Sequence, residues 1–288
     1  MESELSQLTA AFCTGLAQQK YMGAEKGLQT AVEAGCTHWY IDGSLYGEMA
    51  EDWTEARIAG LQGQLAKTAV TPIFHSNFKA PLGSDVEAFR TAAVEYVKRE
   101  IDIASRLGAP LIIHGGCIVE PKITPMAKQV VLERYLKSVQ ELAQYAEARG
   151  TDIYLESLSS YVNYRIFTHE AQYAWVLEHL QTHSNVYFFL NAGHAIIESG
   201  LPAAVLRKYH HRIKGISFRN NSGAQDPYLQ EHDDSCDYAD VVQAIVETHW
   251  KGLVTFETRT QTAKAALAEL AELAQMYHQS LTSEMPVG

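Results

Sequence analysis

Asp152-Ile-Tyr-Leu-Glu156 and Gly252-Leu-Val-Thr-Phe-Glu257 decide the fold. Each is a short apolar run closed by a carboxylate, and each is followed by a helix-like stretch. A carboxylate at the end of a buried strand loses its hydration, which is costly unless something pairs with it. Comparable runs end on His75 (after Thr71-Pro-Ile-Phe74), His114 (after Leu111-Ile-Ile113), Asn191 (after Val186-Tyr-Phe-Phe-Leu190) and Ser217 (after Ile213-Lys-Gly-Ile216). Parallel strands that all present polar groups at one end build a site there.

Working outward, helical and strand patterns alternate along the chain. Strands are expected near Ala11–Thr14 and over His38–Ile41, the latter ending in Asp42. Helices are expected over Glu25–Ala34, stopped by Gly35, and over Glu51–Leu65. Ser84 and Glu87 have capping-box spacing ahead of a helix that runs to Leu107 and stops at Gly108. Thr124 and Pro125 suit the N-cap and first position of the next helix. Its stripe is Val130, Val131, Leu136, Val139, Leu142 and Ala146, and Gly150 ends it. Four further helices fall at His169–Gln181, Leu201–Tyr209, Tyr238–Thr248 and Thr262–Gln279.

About eight strand–helix units are buried best as a (β/α)8 TIM barrel, an α/β fold forming one domain over residues 1–288, with 279–288 a frayed tail. A doubly wound open sheet is the alternative, but it gathers its ligands at a single crevice rather than at many strand ends.

The length of 288 residues suits one barrel, and a 47% hydrophobic content supports a sizeable core. A formal net charge of −11 argues against nucleic acid, whose phosphates require a concentrated basic surface. Cys13, Cys36, Cys117 and Cys236 are widely spaced with no CxxC pair, as reduced thiols are. The chain opens without a basic region followed by an apolar stretch, and no run approaches the roughly 20 apolar residues that span a bilayer. A cytoplasmic protein without a membrane partner is expected; assembly into a homo-oligomer stays open.

Glu156 and Glu257 are the leading catalytic candidates. Two carboxylates across a pocket can hold a divalent cation and move protons on opposite faces of a substrate. The plain structural alternative is a buried salt bridge to Arg or Lys. His75 and His114, at equivalent ends of successive strands, are candidate ligands beside Glu156, and Gly115 and Gly116 would let a ligand approach the backbone. In Asn191-Ala-Gly-His194 the Asn ends a strand and the His lies on the turn after it, so both can face one mouth. Arg219 opens the longest irregular stretch, to Cys236; its Asp226, Tyr228, His232, Asp233 and Asp234 read as a solvated acidic loop, or else as a lid or second metal site. His210 and His211 read as a surface pair at a helix end, where a cation suits the dipole. Neither a phosphate-cradling glycine loop nor a GxSxG elbow is present in the sequence.

At these residues the chain resembles the xylose-isomerase-like barrel superfamily, which includes sugar epimerases and isomerases, dehydratases and endonuclease IV. The resemblance implies a metal held by Glu on the fifth strand, Asp on the sixth, His or Gln on the seventh and Glu on the eighth. Glu156 and Glu257 match the two glutamates. The usual Asp-x-Gly-His reads here Asn191-Ala-Gly-His194, and the seventh position falls on Ser217. His75 and His114 match two further histidines of the trinuclear nuclease pattern, whose loop Asp-x-His becomes Asp226-Pro-Tyr228. An amide at 191 removes a negative charge from the metal shell, and a serine hydroxyl is a poor ligand at neutral pH.

The reading that follows is an isomerase or epimerase of a small sugar-like or polyhydroxylated substrate. One glutamate removes a proton next to a carbonyl and the other returns it, with or without a divalent metal (Mn, Mg or Zn) held by Glu156, Glu257, His75 and His114. Asn191, His194, Ser217 and Arg219 would bind substrate. A dehydratase of the same fold, a ligand-binding barrel without catalysis and, less favoured, a nuclease are the alternatives.

Overall fold

The computed structural model describes residues 8–13, 22–114, 125–158, 166–197, 201–218 and 239–256, with 272, 275, 276 and 279. Eight strands, β1 (Leu8–Cys13), β2 (His38–Asp42), β3 (Thr71–His75), β4 (Leu111–His114), β5 (Ile153–Glu156), β6 (Val186–Asn191), β7 (Ile213–Phe218) and β8 (Gly252–Phe256), follow one another in spatial order. Every neighbouring pair is parallel, and β1 pairs with β8 through Leu8↔Gly252 to Ala11↔Thr255, which closes the barrel. The open-sheet alternative is thereby set aside.

The helices described are α1 (Ala24–Glu33), α2 (Glu55–Leu65), α3 (Glu87–Leu107), α4 (Pro125–Glu147), α5 (Glu170–His179), α6 (Ala192–Ile197), α7 (Pro202–Tyr209) and α8 (Ala239–Glu247). Apart from α6, for which a turn was expected, they fall where helices were expected, and glycine ends two of them: Gly35 and Gly108 adopt φ of 73° and 70°, the left-handed turn that ends a helix. None of these helices is long and apolar enough to cross a membrane.

Three local expectations are corrected. The start of the stretch expected as one helix over 51–65 is a 3-10 turn at Ala50–Asp52, separate from α2. Ser84 and Glu87 form no capping box: Val86 occupies the N-cap, Ser84 Oγ accepts the Val86 N–H, and Glu87 turns outward to Arg90, Arg134 and Lys137. Buried Arg90 and the more exposed Arg134 and Lys137 outcompete the backbone for that carboxylate. In α4, Val130 is 41% exposed, while Leu132, Tyr135 and Ala143 join the buried face.

The strands' outward residues, among them Ile41, Phe74, Ile113, Leu155, Leu190, Ile216 and Val254, share one core with helix residues such as Val97, Ile101, Leu142, Val176 and Ile245. Inside the barrel lies a separate apolar layer of Tyr40, Ile73, Ile112, Phe189 and Leu253, with Tyr154 against it. Gly215 makes room in that layer: a Cβ there would stand 2.3 Å from the Phe189 ring. Side chains two residues apart on a strand share a face. One such step beyond the apolar layer come Asp42, His75, His114, Glu156, Asn191, Ser217 and Thr255, all turned into the barrel. The polar strand ends therefore sit directly on an apolar floor.

Candidate active site

Register brings the polar layer together. His114 pairs with Glu156 across β4 and β5, Asn191 with Ser217 across β6 and β7, and Ser217 with Thr255 across β7 and β8. Glu156, at 3% exposure, is the centre. Its Oε2 lies 3.0 Å from His75 Nε2, and its Oε1 accepts from Asn191 Nδ2 at 2.8 Å. Among the described residues the ionic partner of Glu156 is thus an imidazole, in place of the Arg or Lys of the plain structural alternative.

His75 Nδ1 lies 3.0 Å from the Ser76 carbonyl. A carbonyl and a carboxylate can only accept, so the ring donates from both nitrogens and is an imidazolium while Glu156 is ionised. Burial pushes the Glu156 carboxyl upward. The His75 hydrogen bond and the charges of His75, His194 and His114 outweigh it and hold the group below its ordinary range.

Asn191 is held from three sides. Its N–H donates to Ser157 Oγ at 2.9 Å, its Oδ1 accepts the His194 N–H at 3.1 Å, and its Nδ2 meets Glu156. The segment expected as a turn is the short helix α6, and Asn191 caps it as Asn commonly does. His194 Nδ1 lies 2.9 Å from the Ser157 carbonyl, which places a proton on Nδ1 and fixes the ring. His114 lies 5.4 Å from His75, centroid to centroid, and 6.3 Å from Phe78.

Sequence reasoning missed two supports. Ser157, fully buried directly after Glu156, locks β5 to β6 and α6. Glu100 projects from α3, with its oxygens accepting from Ser76 Oγ and from Asn77 N–H at 2.9 Å. Burial pushes the Glu100 carboxyl up to about 8, against those two donors and nearby His75. Its signal was available: a glutamate on the apolar face shared by Val97, Ile101 and Ala104. On the loops after β2 and β3, Tyr46 and Phe78 are exposed, and the Lys79 ammonium lies 5.7 Å from each ring.

Glu257, Arg219, Gly115, Gly116, Thr124 and the loop carrying Asp226, Tyr228, His232, Asp233 and Asp234 lie outside the described residues, as do most of the last expected helix and the tail 280–288. Cys36 is a buried free thiol. His210 Nδ1 lies 3.0 Å from the Arg207 carbonyl at the end of α7, where a helix-end pair was expected.

Among the described residues no three His, Cys, Asp or Glu side chains gather as a metal-holding group. The donor set explains this locally. Asn191 turns toward Glu156 a nitrogen without a ligating lone pair, its oxygen being committed to His194, and His75 spends Nε2 on Glu156. These residues do not fit the carboxylate-rich metal shell that the resemblance implies.

Comparison with known proteins agrees with this architecture. Solved structures with the same fold include a D-tagatose 3-epimerase-like protein (TM-score 0.78, 16% identity, covering 95% of this chain and 99% of that one). An L-ribulose 3-epimerase gives a TM-score of 0.77 at 14% identity, covering 97% and 99%. The IOLI protein, whose structure has a binding zinc atom, gives 0.73 at 14% identity, covering 96% and 97%. A curated relative, the uncharacterized protein y4fM of Sinorhizobium fredii (strain NBRC 101917 / NGR234), is 26% identical over 171 residues, 59% of this chain and 53% of the relative. The chain thus matches about half the length of that relative. The family model described as xylose isomerase-like TIM barrel matches residues 28–277, and the chain belongs to that family.

Proposed function

We propose that the protein is an isomerase or epimerase of a small sugar-like or polyhydroxylated substrate, moving a proton at a carbon next to a carbonyl. The observation that carries this reading is the buried Glu156 carboxyl at the mouth of the barrel, hydrogen-bonded to His75 and Asn191, with His114 in the same layer and His194 on the helix just beyond it. A carboxylate has about four acceptor directions, and His75 and Asn191 take two, which leaves Glu156 able to accept a proton from carbon. A base held below its ordinary range is weak. Stabilisation of the product enediolate has to carry the step, and the His75 imidazolium supplies positive charge beside it.

Glu257 is the second carboxylate in this reading and returns the proton on the other face. His194, anchored on Ser157, orients a substrate hydroxyl, and Asn191, Ser217 and Arg219 complete the binding set. Exposed Tyr46 and Phe78 offer flat apolar faces to the C–H face of a sugar, with Lys79 between them. The sugar epimerases among structures of the same fold support this substrate class. The partner is a small molecule; a nucleic acid is disfavoured by the net charge of −11.

The test is to incubate the protein with a panel of keto-sugars and cyclitols in heavy water and follow deuterium at the carbon next to the carbonyl by NMR. Solvent deuterium and an epimeric or isomeric product are expected, and Glu156→Gln is expected to abolish both with its circular dichroism unchanged. Products that have lost one water would instead establish the dehydratase. Saturable binding without exchange or product would establish a ligand-binding barrel.

A further inference from the structure

A carboxylate removed from water needs donors or positive charge around it. At Glu156 both come from side chains of this fold. The orientation of the Asn191 amide is set by the His194 backbone N–H, which can only donate and therefore meets Oδ1. The half of the amide that faces Glu156 Oε1 is thus NH2, a donor. His75, bonded to two acceptors, brings a full positive charge to Oε2. Ser157, itself fully buried, fixes both the Asn191 backbone and the His194 ring, so the clamp is braced from behind. An aspartate in place of Asn191 would set a second carboxylate within hydrogen-bond distance of Glu156, a repulsion relieved by a metal cation between them or, at a cost in stability at neutral pH, by one of the pair taking up a proton.

We infer that this chain holds Glu156 by an amide–imidazolium clamp, Asn191 and His75, in place of a divalent metal, and that this cluster assembles without one. The inference goes beyond the proposed reaction and does not depend on it, because its test reads metal and stability rather than turnover.

The experiment compares the full-length wild type with Asn191→Asp by thermal melting and titration calorimetry, using manganese chloride, with a chelator as control. Manganese avoids the incidental affinity of surface histidines for zinc. The wild type is expected to show no saturable manganese heat and a midpoint unmoved by chelator. Asn191→Asp is expected to melt roughly 5–10 °C lower in chelator and to recover most of that loss when manganese is added. Stoichiometric manganese on the wild type, or a drop in its midpoint on chelation, would overturn the inference. So would an Asn191→Asp protein as stable as wild type in chelator, since the clamp would then carry no weight. Should Asn191→Asp fail to fold in chelator, folding it in manganese reads the same dependence, and the wild-type titration stands by itself.

Discussion

Glu156 and Glu100 are both enclosed carboxyl groups near the C-terminal ends of the strands, at 3% and 0% exposure, and their surroundings drive them in opposite directions. Glu156 is held below its ordinary range because His75 brings a formal charge to its hydrogen bond. Glu100 is met by a hydroxyl and a backbone N–H, both neutral, with the Asp42 carboxylate nearby, and burial pushes it up to about 8. Two donors each are present, so the number of hydrogen bonds is not what separates them. A charged donor offsets burial and a neutral one does not. Glu156 is consequently held as a carboxylate at neutral pH, whereas Glu100 is a neutral strut that ties the loop after β3 to α3.

The comparison breaks first at His75. His75→Asn removes the charge and leaves Glu156 buried beside neutral donors, so Glu156 should come to resemble Glu100. A loss of about 3–5 kcal/mol in urea unfolding at pH 7 is expected, the cost of orphaning one member of a buried pair. The pH dependence should change with it. In wild type the folded pKa of Glu156 is depressed, so its contribution is present above the ordinary value of 4.5 and is lost as pH falls through the lower folded value. In His75→Asn that acid-side loss should disappear. If the variant unfolds at the same urea concentration with the same acid limb, the His75–Glu156 pair does not govern the site.

Ser157→Ala is expected to have a smaller effect. It takes the acceptor from the buried Asn191 N–H but leaves the Ser157 carbonyl on His194, at a cost of about 1–3 kcal/mol. Slack in Asn191 should also weaken its hold on Glu156, so turnover in the exchange assay should fall by more than stability alone accounts for. A variant equal to wild type in both would show that Asn191 is held by the strand ladder and not by its neighbour's hydroxyl.

How much of this could be read from sequence depends on which link in the chain of causes is local. Strand ends were legible because an apolar run that stops on His75, His114, Glu156 or Asn191 announces a strand and its mouth-facing residue together. Helix ends were legible where Gly35 or Gly108 marks them. The partners of those residues were not. That Glu156 meets His75, 81 residues away, and Asn191, 35 residues away, follows from register around a closed barrel, which no local pattern encodes. The short helix α6 was read as a turn because Ala192-Gly-His194 has no helical stripe; the cap supplied by Asn191 makes it helical. Glu100 was hidden for a related reason: a glutamate on a helix is ordinarily solvated, and only the loop after β3 folding onto α3 turns it inward. Ser84 misled in the opposite sense, since its spacing to Glu87 fits a capping box while Arg90, Arg134 and Lys137 claim the carboxylate.

The smallest change at mildly acid pH is expected from Glu100→Gln, and it sharpens the comparison most directly. Below pH 8 the buried Glu100 is a neutral acid, which glutamine resembles in shape and charge. A glutamine oxygen can accept the Asn77 N–H while its amide meets Ser76 Oγ, so at pH 5 the variant should lie within about 1 kcal/mol of wild type. The difference should open with pH. A carboxyl whose folded pKa is raised favours folding fully below its unfolded value, and that advantage is lost as pH rises toward the folded one. Wild type should therefore lose stability between about pH 4.5 and pH 8, where the unfolded chain has released a proton that the folded one retains. Glu100→Gln removes that slope and should become the more stable protein by pH 8. Urea midpoints at pH 5, 6.5 and 8 on both proteins read this directly. Parallel curves would mean that Glu100 is ionised throughout, and that neutral donors can after all do at Glu100 what the His75 imidazolium does at Glu156.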